Sequence, residues 1–361
     1  MKKIKKKVKK PPLSTQSNHH TMVKKAGIVY SDVKRHYFPT EVQYLTEKDA
    51  FHDAQIVAKY IKKIKIKPFL YPGNAYLTEK LRRDNPDMII NLVDSFKGSE
   101  YLSSAIPAVL ELLELPYTGA SILGKSLDTN KFLIKKLLEQ NGVPVPHYQL
   151  FNAHTDFLDP TLRFPLISKL NEIHGSVEIT QQAVSETEKD LRERLKFLIN
   201  TYDQPALVEE FIVGREITAI LLEGLNKKVY LAEKIFNKPN VRYIFATFED
   251  QWLDKNNQAF HYRKFEDPLL REYVKKAFEI TEMYDYAKFD IRLDSSGRYF
   301  FIDCNSNPAF GPKELDCALS SILDLYGISF VDILKRLIQN TLRDAEGKKL
   351  LPITRNGNKN D

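Results

Sequence analysis

The chain has 361 residues, is 43% hydrophobic and carries a formal net charge of +7, enough length and apolar content for two to three domains with sizeable cores. No apolar run nears the roughly 18 residues that cross a bilayer, and the only two cysteines, Cys304 and Cys317, give neither a disulfide framework nor zinc-ligand spacing, as expected in a reducing, cytoplasmic setting. Seven lysines fall within the first ten residues, so the rest is near neutral and shows no basic footprint for nucleic acid. Residues 1–22 lack the apolar core of a signal peptide and read as a disordered cationic arm, open to RNA or anionic lipid although such runs are more often simply solvated.

From Lys24 strand and helix signals alternate. Ala26–Tyr30 is a short buried-strand candidate, Thr46–Ile64 has helical periodicity, Pro68–Leu70 predicts a second strand, Ala75–Asn85 a helix, and Met88–Val93 a third strand. Ser103–Leu115 predicts a helix that stops before Pro116. Such alternation argues for a parallel sheet with ligands at the carboxyl ends of its strands. Asp128 is placed to cap a helix running through Lys131 to Gln140, stopped by Asn141-Gly142 and Pro144. Phe164–Lys169 predicts a strand ending in lysine, followed by the loop Asn171–Ser176 and a strand at Val177–Ile179. A strand-end ammonium beside a small-residue loop offers charge and backbone N–H groups to phosphates. Ala206–Ile212 is a buried strand that turns polar, and Gly214-Arg215-Glu216 leads into another. Phe330–Leu342 predicts a helix, and the chain from Gly347 a tail.

The most informative stretch is Lys288–Pro308. Asp294-Ser295-Ser296-Gly297 is a turn signal between two apolar-rich runs, which predicts a β-hairpin. With Leu293 opposite Arg298, Lys288 falls opposite Asp303 and Asp290 opposite Phe301. Lys288, Asp290, Asp303 and Asn305 then share one face, with Asp290 diagonal to Asp303. Two carboxylates and an amide oxygen make a hard ligand set suited to Mg²⁺, and a carboxylate embedded in Phe300–Cys304 without a partner is costly. On the hairpin alone a metal site and an ordinary polar face are equally open.

That hairpin resembles the closing motif of the ATP-grasp superfamily, in which an Asp and, thirteen residues later, a Glu-x-Asn hold two Mg²⁺ ions on the ATP phosphates. Asp290, Asp303 and Asn305 keep this spacing, with Asp in place of Glu. Over about Lys24–Asp344 the chain is similar to the D-alanine–D-alanine ligase family, most clearly at Asn91–Val93, Leu112–Gly119 and Ala206–Glu216. The resemblance implies an α/β chain of ATP-grasp fold. It would comprise an N-terminal Rossmann-like (pre-ATP-grasp) domain at 23–124 and two α+β subdomains, 125–204 and 205–346, sandwiching ATP, with the arm at 1–22 and a tail at 347–361.

The resemblance also implies roles. Lys131 and Lys169 match the phosphate lysines, and Asn171–Ser176 the phosphate lid, with Ser176 at the reacting end. Glu209 matches the acid that takes the adenine amino group, backbone from Glu210 to Ile212 the reader of the ring edge, and Glu216 the ribose acid. Asp290, Asp303 and Asn305 would hold two Mg²⁺ ions, with Mn²⁺ as the alternate ion, and Lys288 would meet developing oxyanions where relatives carry arginine. The implied reaction joins a small-molecule carboxylate to an amine through an acyl phosphate, with ADP as product. No membrane partner is implied, nucleic acid is confined to the basic tail, and homodimerisation is open. Departures gather where substrates would bind. Tyr30–His36 replaces the stretch that holds the first D-alanine, with Lys34 and Arg35 as candidate carboxylate partners. Gln251-Trp252 replaces a Lys-Tyr pair, and Glu314 falls where a serine meets the second substrate's carboxylate. These departures predict a substrate pair other than two D-alanines; a D-alanine–D-alanine ligase proper and a non-catalytic ATP-binding regulator are the alternatives.

Overall fold

Short apolar runs separated by amphipathic helices build the first layer. The computed structural model describes residues 23–238, 241–254 and 259–343; the arm at 1–22 and the tail at 347–361 lie outside the described residues. Strands β1 (Lys25–Ser31), β2 (Lys67–Gly73) and β3 (Met88–Leu92) form a parallel sheet in the order β2-β1-β3. Their connections carry α1 (Glu41–Leu45), α2 (Ala50–Lys63), α3 (Leu77–Asp84) and α4 (Ala105–Leu112). Alternate strand residues face opposite layers. Ile28 and Ile90 pack with Ala54, Val57 and Ile61 of α2, while Val29, Tyr71 and Ile89 pack with Leu81 and Leu110.

Next come α5 (Ile122–Asp128), α6 (Lys131–Gln140), β4 (Tyr148–Phe151), β5 (Leu166–Leu170), β6 (Val184–Ser185), α7 (Glu188–Tyr202) and β7 (Ala206–Glu210). The four strands are antiparallel in the order β4-β7-β5-β6. β7 follows residue 204, yet it pairs with both β4 and β5, so the central sheet reaches to Glu210. Asp128 ends α5 and does not cap α6; Asn130 does, its side chain accepting from Leu133 N at 3.0 Å. Val177–Ile179 is a turn, not a strand, because Ser176 (φ 55°) and Glu178 (φ 64°) take left-handed backbone that no strand accommodates.

The last unit holds β8 (Gly214–Leu222), β9 (Lys228–Phe236), α8 (Phe248–Trp252), β10 (Phe260–Phe265), α9 (Pro268–Ile280), β11 (Tyr286–Asp294), β12 (Tyr299–Asn305), α10 (Ala318–Leu325) and α11 (Phe330–Arg343). Its antiparallel sheet runs β10-β9-β8-β11-β12. One face is apolar: Ile217, Ala219, Leu231, Phe289 and Ile291 pack with Ile134 and Leu138 of α6 and Val274 and Phe278 of α9. The alternate residues Glu216, Thr218, Lys234, Lys288, Asp290 and Arg292 therefore populate the other face.

The β11–β12 hairpin keeps the expected face but not the expected register. Asp294 N donates to Arg298 O at 3.0 Å, Gly297 N to Asp294 O at 3.1 Å, and Gly297 sits at φ 84°, so the loop holds three residues and Leu293 pairs with Tyr299 rather than Arg298. That shift alone would turn Asp303 to the core face beside Phe289. A bulge between Asp290 and Ile291 absorbs Ile302 and shifts the register again. Asp290 thus pairs directly with Asp303, not diagonally, and Lys288 with Asn305.

Where the N-terminal domain meets the central one, Glu47 is buried and accepts from Ser95 Oγ at 2.7 Å. Burial, then repulsion from Asp94 and Glu100, pushes its carboxyl up to about 8 from an ordinary 4.5. The folded chain thus keeps a proton that the unfolded chain releases, and stability falls as pH rises through that window. Glu47→Gln keeps the acceptor and removes the charge. It is expected to match the wild type in urea unfolding near pH 4 and to exceed it at pH 9 by roughly a few kcal/mol; equal stability at pH 9 would contradict a burial-raised Glu47.

Candidate functional site

The polar face of the five-stranded sheet and the inner face of the central sheet enclose a cleft. Among the residues singled out from sequence, Lys131, Lys169, Ser176, Glu209, Glu210, Ile212, Glu216, Gln251, Asp290 and Asp303 line it. Lys288 and Asn305 stand just behind. Lys288 Nζ pairs with Asp290 Oδ2, and Asn305 Nδ2 donates to Asp303 Oδ2 at 3.2 Å.

Strand register sets the floor. Lys234, Glu216 and Arg292 face one another across β9, β8 and β11, and in the next row Thr218, Asp290 and Asp303 do so across β8, β11 and β12. Lys234 Nζ donates to Glu216 Oε1 at 2.6 Å and lies 3.7 Å from Asp290 Oδ1; Arg292 Nη1 reaches Glu216 Oε2 at 3.3 Å. Thr218 Oγ1 donates to Asp290 Oδ1 at 2.9 Å. Burial works against the charge on Glu216, but Lys234 and Arg292 outweigh it and hold the carboxyl below its usual range. Lys234 and Arg292 were not anticipated; strand alternation already placed Arg292 beside Asp290, whereas Lys234 needed the pairing of β9.

Glu209 is fully buried between two cations. Lys169 Nζ donates to its Oε2 at 3.2 Å and to Ile302 O at 3.1 Å, and Lys135 Nζ lies 3.1 Å from its Oε1 and donates to Phe301 O at 3.1 Å. Burial, opposed by Glu209, lowers the Lys135 ammonium. Lys135 also escaped the sequence reading, although it follows Lys131 by one helical turn on α6. At the other end of the cleft Phe211 and Phe245 make an apolar wall with ring centroids 5.6 Å apart. Arg292 lies over Phe211 at 5.2 Å and donates from Nε to Ile212 O at 3.0 Å, so that carbonyl is committed to the protein. Glu210 Oε1 accepts from Arg163 N at 2.9 Å.

The loop before the turn at 175–178 is clasped from several sides. Lys131 Nζ donates to Ile173 O at 2.7 Å, Gln251 Nε2 to Ser176 Oγ at 2.7 Å, and Trp252 Nε1 to Gly175 O at 2.8 Å. On the N-terminal side Glu100 binds His174 through both main chain and ring. Arg35, a candidate carboxylate partner, is instead held by Glu41 at 2.7 Å and Phe38 O at 2.8 Å, and Lys34 lies 5.6 Å from the Tyr37 ring. Glu314 accepts from Tyr60 at 3.1 Å on an exposed turn and is not among the residues lining this cleft.

The donor set suits Mg²⁺. Burial would raise the Asp303 carboxyl, but Lys131, His174, Lys288 and Lys169 together hold it well below its usual range. Asp290 is likewise lowered against burial by Lys288 and Lys234. Two ionised carboxylates paired across adjacent strands, with the Asn305 amide oxygen beside them, are the hard oxygen donors that Mg²⁺ takes.

The family model described as D-ala D-ala ligase C-terminus matches residues 137–339. An uncharacterized protein, y4sG, of Sinorhizobium fredii is 34% identical over 227 residues, 61% of this chain and 65% of that relative. The D-alanine–D-alanine ligase of Carboxydothermus hydrogenoformans is 25% identical over 73% of this chain and 83% of its own length. A crystal structure of the D-alanine–D-alanine ligase of Bacillus anthracis complexed with ATP superposes with a TM-score of 0.68 at 18% identity, covering 90% of this chain and 99% of that one. The ATP-grasp architecture expected from the sequence is thus the architecture of the chain.

Glu209 is the carboxylate that two lysine ammonium groups share, so removing it leaves both cations without their acid. Glu209→Gln is expected to lower stability by about 3–5 kcal/mol in urea unfolding, and Lys135→Met with Glu209→Gln to recover part of it, because one of the two orphaned cations is then gone. Equal losses in the single and double variants would show that the two side chains are not coupled.

Proposed function

The chain belongs to the D-alanine–D-alanine ligase family of ATP-grasp proteins, and on that premise we propose that it is an ATP-dependent, ADP-forming ligase joining a carboxylate to an amine, with a substrate pair other than two D-alanines. The observation that carries the reading is the facing of Asp290 and Asp303 in one cleft with Lys131 and Lys169, which come from three separate parts of the chain. Phosphoryl transfer asks the protein chiefly for positioned positive charge. Lys131 and Lys169 supply it at the phosphates. Asp290, Asp303 and Asn305 would hold Mg²⁺, which when bound neutralises phosphate charge. Lys288, already paired with Asp290, would meet the developing oxyanion, where its point charge replaces a bidentate guanidinium. The apolar wall of Phe211 and Phe245 suits a purine ring.

In this reaction the substrate carboxylate attacks the terminal phosphorus of ATP, ADP leaves, and the acyl phosphate is captured by the amine. A C–N bond forms, the C–O bond to phosphate breaks, and phosphate departs with the electron pair. Two features favour an acid–amine pair other than D-alanine. Gln251 and Trp252 engage the lid with neutral donors, and behind the lid stand Glu100, which holds His174, and Asp94, whose carboxyl burial pushes up to about 6. A second free carboxylate there meets like charge. Glu314 plays no part in this reading, since Tyr60 holds it away from the cleft.

Profiling ADP release against pooled amino acids, dipeptides and hydroxy acids is expected to find an active acid other than D-alanine. No release with any of them would leave the family's non-catalytic reading in place. Calorimetry should detect Mg-ATP, and Lys169→Ala should weaken it by at least about tenfold, the loss of one charge-assisted contact; unchanged affinity would remove Lys169 from the phosphate site. Purified protein supplied with ATP and D-alanine is expected to form little D-Ala-D-Ala, and efficient formation would overturn the substrate reading while leaving the ligase reading intact.

A further inference from the structure

The lid commits its main-chain groups to the protein itself. His174 N donates to both oxygens of Glu100 at 2.9 and 3.1 Å, Ile173 O accepts from Lys131, and Gly175 O accepts from Trp252. The His174 N–H that such a loop would offer a phosphate is therefore already taken. The imidazole of His174 keeps one nitrogen uncommitted. Its Nδ1 lies 2.5 Å from Glu100 Oε2, and an ionised carboxylate only accepts, so Nδ1 is the donor there. Its Nε2 is buried and has no hydrogen-bond partner. Asp128 Oδ1 is 3.8 Å away and already accepts from Ser306 N at 3.0 Å, while Lys125 holds Oδ2 at 3.2 Å. A buried polar atom left unpaired calls for a missing partner.

The position of the ring indicates that partner. His174 lines the same cleft as Lys131, Lys169 and Asp303. It sits by the carboxylates of β12: Asp128, its neighbour, binds the main chain of the residue that follows Asn305, and the ring is close enough to Asp303 to lower that carboxyl. The charged groups that face the ring are Asp94 and Glu100 ahead of α4, Asp128 at the end of α5 and Asp303 of β12.

We propose that His174, oriented by Glu100, donates from Nε2 to the terminal phosphate of bound ATP and so replaces the main-chain donor the lid has committed elsewhere. This rests on the reading of the cleft as an ATP site. In its imidazolium form the ring donates from both nitrogens, and a charged donor on a phosphate oxygen is among the stronger hydrogen bonds. Glu100 belongs to the N-terminal domain, so the contact also ties that domain to the occupancy of the γ-phosphate position.

Two substitutions separate this role from simple support of the loop. His174→Asn places an amide where Nδ1 meets Glu100 but removes the reach of Nε2; His174→Gln reaches the Nε2 position but gives up the Nδ1 contact. Dissociation constants for Mg-ATP and Mg-ADP are measured by calorimetry and by the fluorescence of Trp252, the only tryptophan in the chain. His174→Asn is expected to weaken Mg-ATP by at least about tenfold while Mg-ADP stays within about twofold, and His174→Gln to lose less. The reverse order, or equal weakening of both nucleotides, means that the ring only holds the loop. Unchanged Mg-ATP affinity means that it meets no phosphate. Each of these overturns the inference alone, whereas wild-type protein that binds neither nucleotide overturns the ATP reading and this inference with it.

Discussion

Glu216, Lys234, Asp290 and Lys288 lie on one face of three adjacent strands, largely out of water, and none of them is tolerable there by itself. Moving a lone ion into such a place costs several kcal/mol, so the floor of the cleft exists only as a mutually neutralising set. Removing one member leaves its partner charged and unpaired. The set is specified by strand register rather than by long side chains searching for each other: Glu216 meets Lys234 and Arg292 because β8 lies between β9 and β11. The opposite face of those strands is apolar and packs on α6 and α9, which pins the register from below. Packing and polar chemistry are thus two faces of one constraint.

A second constraint sets the N-terminal domain against this platform. Asp285 is buried at the start of β11 and accepts from Gly119 N at 2.9 Å, Asn340 Nδ2 at 2.6 Å and Thr341 Oγ1 at 3.3 Å. One carboxylate therefore holds the chain entering α5, the strand that bears Asp290, and α11. Gly124 reinforces it, since a Cβ there would fall 2.1 Å from Glu282 O. With these anchors in place, Glu100 reaches the lid from the N-terminal side while Gln251 and Trp252 reach it from the C-terminal side. The loop over the cleft is held by both domains that flank it.

Much of this was legible in the chain. The strand–helix alternation gave the parallel sheet, and the order of Lys131, Lys169, Glu209, Glu216, Asp290 and Asp303 gave a cleft that all six line. The hairpin face came out as expected only because two departures cancelled: a three-residue loop moved the register by one, and the bulge at Ile302 moved it again. Neither is encoded in period-2 alternation, which is blind to an extra residue. Asp128 reads as a helix cap by type, but its carboxylate is drawn into the Lys125, His174 and Ser306 cluster, and Asn130 takes the cap. Val177–Ile179 has strand composition, yet positive φ at Ser176 and Glu178 bends it. Lys135 and Lys234 were hidden because an isolated lysine reads as surface until its buried acid is known.

The two ends of the cleft differ in how they are made, and that difference bears on what the enzyme accepts. At the nucleotide end Glu209, Glu216, Asp290 and Arg292 stand on strands whose pairing fixes each side chain to within its rotamer choice. At the other end the wall is the lid, a loop held from behind by Glu100. Loops tolerate changes of charge that a register-locked strand does not. Behind the lid stand Asp94 and Glu100 and, from the turn between α1 and α2, Glu47; Glu47 and Asp94 have carboxyls raised by burial and by acidic neighbours. A further carboxylate brought among them would add to a repulsion that the protein already relieves by keeping Glu47 protonated at neutral pH. The charge of the loops can therefore vary without disturbing the register-locked strands below.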